Sequence, residues 1–270
     1  MIQRTPLLLS TTAAIRQRFT IVLGKRGVLQ ILSKPGMGKT YTAKLIAQEH
    51  KDAIIITATR EFRSFGGVVD CIINATEIYT NARYNREKVA VLKSNLETWP
   101  GAFLICDEAQ NLDGEALRFL LELWDEFKIP IILLGNRDLI RKTRGDEAAF
   151  DQIANRVTDR IELSNPTQTD VESFCVEYNV AREAYPRMIT WGQTVAFRDI
   201  ADVLENAAAA IASGPVRLDD ISHAIKDRFG EKSARQFFAA KYRGVILCAS
   251  ALLRSRQPPK GKPKCLMNPE

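Results

Sequence analysis

The sequence predicts an α/β fold, a parallel sheet with helices on both faces, followed by a smaller all-helical unit. Three observations lead there. Short β-rich apolar runs alternate with helical patterns through residues 1–165. Four of the five runs end beside a polar side chain able to do chemistry, Ser33, Thr59, Asp107 or Asn136. Beyond "SNPTQTD" the strand signals nearly vanish and helical spacing takes over.

The first stretch, "TPLLLSTTAAI", is too short and too polar at its flanks for a signal peptide or a membrane span. No later run approaches the ~20 apolar residues that a span needs. A cytoplasmic protein with no membrane partner is expected. The 270 residues are 46% hydrophobic and 26% charged, enough for one large domain and a small one. Five cysteines, odd in number and without a C-x-x-C pair, exclude a disulfide framework, and with only two histidines a zinc site is not expected either. A net charge of +6 and a pI near 9.1 fit a polyanionic partner, although basic proteins without one are common.

The first predicted strand, "GVLQIL" (27–32), runs into "SKPGMGKT" and the helical "YTAKLIAQE". This is G-x-x-x-x-G-K-[ST] with serine at its first position, where the strand ends and a small residue suffices. Gly36 and Gly38 let successive backbone N–H groups turn inward on phosphates, and the helix adds its positive end. Ser33, Lys34, Pro35, Gly36, Met37, Gly38, Lys39, Thr40 and Tyr41 are therefore candidate nucleotide contacts. Lys39 is placed to reach the terminal phosphates of ATP and Thr40 to coordinate Mg2+.

Two basic stretches surround the next predicted strand and helix region. "AIIITA" (53–58) is followed by Arg60 and Arg63 in "ATREFRSFGG", and "NARYNREK" carries Arg83, Arg86 and Lys88. These cations suit DNA phosphates; a solvated charged helix face is the other reading of "NARYNREK". The strand "AFLIC" (102–106) ends at Asp107 and Glu108. Adjacent charges ending a buried strand are costly without a cation, so Asp107 is read as a Mg2+ ligand and Glu108 as the base that polarises an attacking water. Cys106 reads as strand filler.

"ALRFLLELWDEF" (116–127) has helical spacing, its aromatic residues belonging to the core. "IPIILLG" (129–135) leads to Asn136, whose amide could orient the same water or simply form a turn. Arg156 precedes the weak strand "RIEL" (160–163), and either Arg156 or Arg160 could stabilise charge at a neighbour's phosphate. Residues 166–230 read as the helical unit, with a break at "SGP". Residues 231–270 read as a last helix and a Pro, Gly and Lys-rich disordered tail.

In this order the pieces resemble an AAA+ ATPase, with "SKPGMGKT" as Walker A, "FLICDE" as Walker B, Asn136 as sensor 1 and Arg156 as the arginine finger. The resemblance implies a P-loop core at 1–165 and a helical lid at 166–230, with Arg198 of "FRDIADVLENA" as the lid's nucleotide contact. More narrowly, "DEAQNL", the compact size and "RLDDISHAI" are similar to the transposition-regulator group that holds Mu B, TnsC and TniB, and to the ExeA-type ATPases. That implies ATP-dependent assembly into a ring or helical filament on duplex DNA without sequence preference, and work with a transposase. About two dozen residues precede the first strand, too few for the helix-turn-helix domain that Mu B carries, so DNA contacts are expected from the core or the tail. A helicase-loader or secretion-type remodelling ATPase, acting on a protein, is the alternative reading. A small-acceptor P-loop kinase is a third, disfavoured by Glu108.

Overall fold

A computed structural model describes residues 9–139 and 156–239 of the chain. The first helix, α1 (Ser10–Lys25), leads to β1 (Val28–Leu32) and then, across the phosphate loop, to α2 (Lys39–Glu49). β2 (Ala53–Thr57), α3 (Phe65–Ala75), α4 (Asn85–Glu97) and β3 (Phe103–Asp107) follow. A 3-10 turn at Ala109–Asn111 connects to α5 (Gly114–Phe127) and β4 (Ile131–Gly135), and β5 (Val157–Glu162) closes the sheet.

The five strands are all parallel, in the order β2-β3-β4-β1-β5. β1, β3 and β4 are buried along their whole length, as sheet-centre strands covered on both faces must be, and this is why their sequences read as unbroken apolar runs. β5 lies at an edge, where burial alternates residue by residue. That alternation explains why its sequence signal is weak and why the expected span of 160–163 starts three residues late. α1 and α2 cover one face, through Ile15, Phe19, Val22, Ala43 and Ile46. α3, α4 and α5 cover the other, through Val68, Ile72, Leu92, Leu96 and Leu120.

Connections leaving β1 and β4, which are neighbours, run in opposite directions across the sheet. The crevice beyond the carboxyl ends of two such strands is where open parallel sheets bind ligands. Ser33 at the end of β1 donates its backbone N–H to Gly135 O at the end of β4 (3.1 Å), so the two strand ends are stitched together at that crevice. Gly27 is required just before β1: a Cβ there would lie 2.4 Å from Thr158 Oγ1.

The helical region follows in α6 (Gln168–Glu177), α7 (Tyr185–Gly192), α8 (Phe197–Ala209), α9 (Leu218–Phe229) and α10 (Glu231–Ala239). Sequence spacing located α6, α8 and α9; it missed α1, α3, α4 and α7. The expected last helix runs past the described residues, and the expected tail lies outside them. These helices share a core of their own, which Leu9 and the phosphate-loop Met37 also enter.

Asp170 ties the two regions together. Its carboxylate closes the capping box of α6 on Thr167 and also accepts from Ser10 N (2.7 Å) and Ser10 Oγ (2.6 Å) at the start of α1. Burial alone would raise the Asp170 pKa, but the Ser10 and Thr167 donors outweigh it and the net shift is downward. Asp170→Ala is expected to cost about 2–3 kcal/mol at neutral pH. Because the folded pKa is depressed, this contribution is fully present above the unfolded value of ~3.9 and fades as pH falls through the folded one. Urea titrations of both proteins from neutral to acid pH check this; a gap that does not narrow on acidification would refute the assignment.

Candidate active site

The phosphate loop takes its shape from two backbone reversals. Gly36 (φ 79°) and Gly38 (φ 82°) both adopt left-handed conformations, which a side chain would strain, and Gly38 is the N-cap of α2. Lys39 is buried at the first position of α2, its ammonium donating to Ser33 Oγ (2.6 Å), Ser33 O (3.3 Å) and Lys34 O (3.3 Å). Burial lowers its pKa, opposed by the charges of Glu108 and Asp107. Ser33 is thus more than a small residue tolerated at the strand end. Its hydroxyl accepts from Lys39 and donates to Lys34 O (2.8 Å), a role glycine could not fill. Thr40 and Tyr41 are exposed on the first turn of α2.

Asp107 is buried at the last position of β3, in register with Thr57, and its Oδ1 accepts from Glu108 N (2.9 Å). Glu108 then turns the chain with φ 54°, a left-handed conformation uncommon outside glycine. Its carboxylate accepts from the Gln110 side-chain amide. The other end of that amide, Gln110 Oε1, accepts from Asn136 N (3.3 Å). Gln110 therefore bridges the Glu108 carboxylate to the backbone that follows β4, and Gly135 leaves it room, since a Cβ there would sit 2.9 Å from Gln110 Oε1. Sequence reasoning passed over Gln110; its place in "DEAQ" is visible, but its reach to β4 depends on strand order. Asn136 accepts from Asp138 N at Oδ1 (2.8 Å), the turn-forming role, which leaves its amide nitrogen as the group able to face a water. Buried Cys106 has its thiol pKa pushed far up by desolvation, as befits filler.

α8 reaches back to the loop. Arg198 N donates to Gly36 O (3.1 Å), placing the Arg198 side chain at the rim of a cavity of about 670 Å³. The phosphate loop, Thr40, Tyr41 and Glu108 line that cavity too, as do Leu9, Phe174, Tyr178 and Phe197. The last four are apolar or aromatic surfaces from α6, α8 and the segment before α1. Sequence reading assigned them no role, because only packing brings them to the loop.

Arg156 lies at the opposite end of the sheet. It immediately precedes β5, whose Val157 pairs with Val28 at the start of β1, and its guanidinium forms an ion pair with Asp125 of α5 through Nε and Nη2 (2.7 Å each). Arg160 lies within β5 and donates from Nε to buried Gln30 Oε1 (2.6 Å). The five residues of β1, about 17 Å of strand, lie between Arg156 and its own phosphate loop.

The basic stretches converge. Arg60, Arg63, Arg83 and Arg86 are exposed, and Asn85 at the start of α4 sits against Gly66 at the start of α3, 2.7 Å from where a Cβ would be. The two helix N-termini thus lie side by side. Lys88 stands apart, its ammonium held by Asp70 (2.6 Å). The 58–63 segment hangs on the turn after β3: Asn111 Nδ2 donates to Ala58 O (2.8 Å) and Asp113 N to Arg63 O (3.0 Å).

With this geometry, the family model described as AAA domain matches residues 22–142. Residues 22–142 are thus similar to an AAA domain. A curated relative, the ATP-dependent target DNA activator B of Escherichia phage Mu, is 25% identical over 158 residues, 57% of this chain. The chain spans about half, 49%, of that relative's length. Among solved structures, the ORC2 protein of Aeropyrum pernix in its ADPNP-ADP complexes superposes with a TM-score of 0.63 at 16% identity, covering 84% of this chain and 70% of the other. A RuvB mutant from Thermotoga maritima does so at 0.53 and 14% identity, covering 90% and 81%. The matched segment thus sits in a parallel P-loop fold with a helical C-terminal region. Among the described residues no helix is long and apolar enough to cross a membrane.

Proposed function

We propose that this protein hydrolyses ATP to ADP and phosphate, assembles with ATP on duplex DNA, and regulates transposition by selecting target DNA. The observation that carries the reading is the single cavity shared by the phosphate loop, Glu108 and Arg198. In it Lys39 exchanges its loop oxygens for those of the terminal phosphates. Glu108 takes the proton of the attacking water, and Asn136, which lines a second cavity with Ser33 and Lys34 and is joined to Glu108 through Gln110, orients that water. Arg198 senses the nucleotide from the helical lid (166–230), and Arg156 reaches the phosphates of an adjacent subunit. Mg2+ fits the donor set, one hydroxyl from Thr40 and one carboxylate from Asp107, both hard oxygens; when bound it neutralises developing phosphate charge. Among the described residues no cluster of three His, Cys, Asp or Glu could hold a metal, which suits an ion held largely by phosphates and water.

Similarity to the Mu activator supports DNA as the partner, and the exposed arginines supply contacts for its duplex form. Such contacts bind backbone and offer no base readout, so binding with little sequence preference is expected. Affinity with ATP present should fall with salt at a log–log slope of about 0.9 per phosphate neutralised. Alanine at Arg60 and Arg63, or at Arg83 and Arg86, should flatten that slope and weaken all sequences alike. Lys88→Ala should do less, because Asp70 already compensates its charge. Filter binding over a salt series measures this, with removal of residues 256–270 as the control for ATP-independent attraction by the tail lysines. Without ATP-dependent affinity for duplex DNA, a protein-remodelling ATPase of the helicase-loader or secretion type becomes the better account. A cytoplasmic location and a transposase partner complete the proposal.

A further inference from the structure

Tyr79 and Tyr84 are the most exposed large apolar side chains among the described residues, 88% and 72% accessible. Both rings stand on anchored backbone. Ile78, which packs on the core, donates its N–H to Ile73 O (3.3 Å) directly before Tyr79. Tyr84 is the N-cap of α4, its carbonyl accepting from Glu87 N (3.0 Å) and Lys88 N (3.1 Å). Between them Ala82 N donates to Thr80 Oγ1 (3.1 Å), so the connecting loop is turned rather than slack. A large ring displayed to solvent from ordered backbone has already lost much of the entropy that binding would cost. Arg83 and Arg86 lie within the same loop and helix start, both exposed, and residues 79–86 contain no acid.

We infer that Tyr79 and Tyr84 stack on DNA bases exposed at an unpaired or unstacked step, while Arg83 and Arg86 hold the adjoining phosphates. The inference rests on the DNA reading above and specifies the form of DNA preferred. Aromatic faces stack on any base, so such a surface selects opened DNA without selecting sequence. Arginines on either side of Tyr84 favour a nucleic acid over an apolar protein surface, for which two arginines would be costly to bury.

Fluorescence anisotropy with ATPγS and Mg2+ tests this on a duplex and on the same duplex carrying a central four-nucleotide unpaired bubble. The 270-residue chain is expected to prefer the bubble about tenfold. Changing Tyr79→Ala and Tyr84→Ala together should remove that preference, leave duplex affinity within about twofold and leave the salt slope unchanged, because no charge is lost. Tyr79→Phe with Tyr84→Phe should retain the preference. Arg83→Ala with Arg86→Ala should weaken both DNAs and flatten the slope. Equal affinity of wild type for the two DNAs overturns the inference, as does a double alanine variant that keeps the bubble preference or that loses ATP-dependent assembly without DNA. Failure of wild type to bind either DNA overturns the DNA reading and this inference with it; binding of duplex with no tyrosine effect overturns this inference alone.

Discussion

Lys39→Ala is expected to abolish ATP binding, whereas Glu108→Gln is expected to bind ATP and fail to turn it over. The Lys39 ammonium is already seated among three oxygens of its own loop, at 2.6 to 3.3 Å, so no large rearrangement is needed to offer it to a phosphate. Removing it leaves several phosphate charges beside Asp107 and Glu108, which have the same sign as the ligand, with Arg198 and Lys44 at the cavity wall as the cations that remain. Glu108→Gln keeps shape and hydrogen bonding but removes the proton acceptor, so the loss falls on kcat. Catalytic efficiency should fall more than tenfold, above about 1.4 kcal/mol of barrier. Nucleotide titration calorimetry and phosphate release separate the two effects. Equal affinity of Lys39→Ala and wild type for ATP would remove the assignment of this loop.

Subunits carrying Arg156→Ala and subunits carrying Glu108→Gln, each inactive alone, are expected to regain activity when mixed. In its own chain Arg156 is held at the far end of the sheet by Asp125, beyond side-chain reach of the loop that follows β1. On the proposed reading it serves a neighbour's phosphates, and Arg156→Ala should then lower turnover about 10³-fold. One mixed interface combines an intact Glu108 with an intact Arg156. Arg160 is the weaker candidate, since its guanidinium is engaged by Gln30 inside the sheet. Specific activity should also rise with protein concentration as subunits meet. Turnover independent of concentration, with no recovery on mixing, would defeat this and move the chemistry toward transfer to a small acceptor.

The positions of β1, β3 and β4 were legible from composition alone, because strands buried on both faces must be continuously apolar. The edge strand β5 was only half legible, since every second residue faces outward. α1 and α4 were missed for a related reason: each buries a narrow stripe under a polar surface, so their spacing is weak. The candidates on the phosphate loop and after β3 were readable because left-handed backbone in the loop demands glycine, while phosphate and Mg2+ chemistry demand lysine and carboxylate at set spacings.

What the sequence by itself determined is therefore local: which runs are strands, where the chain reverses, and which side chains stand at strand ends. What only the tertiary structure decided is what those side chains meet. Strand order puts Asn136 beside Gln110, and so within one bridge of Glu108, although 28 residues of chain separate the carboxylate from the amide. Packing of α6 and α8 brings Arg198 and an apolar wall to the phosphate loop, and the pairing of α3 with α4 brings two basic stretches together while Asp70 claims Lys88. Sequence periodicity records which face of an element is buried but not its neighbour, because hydrophobic burial is non-directional; partners are chosen by the geometry of the assembled layers.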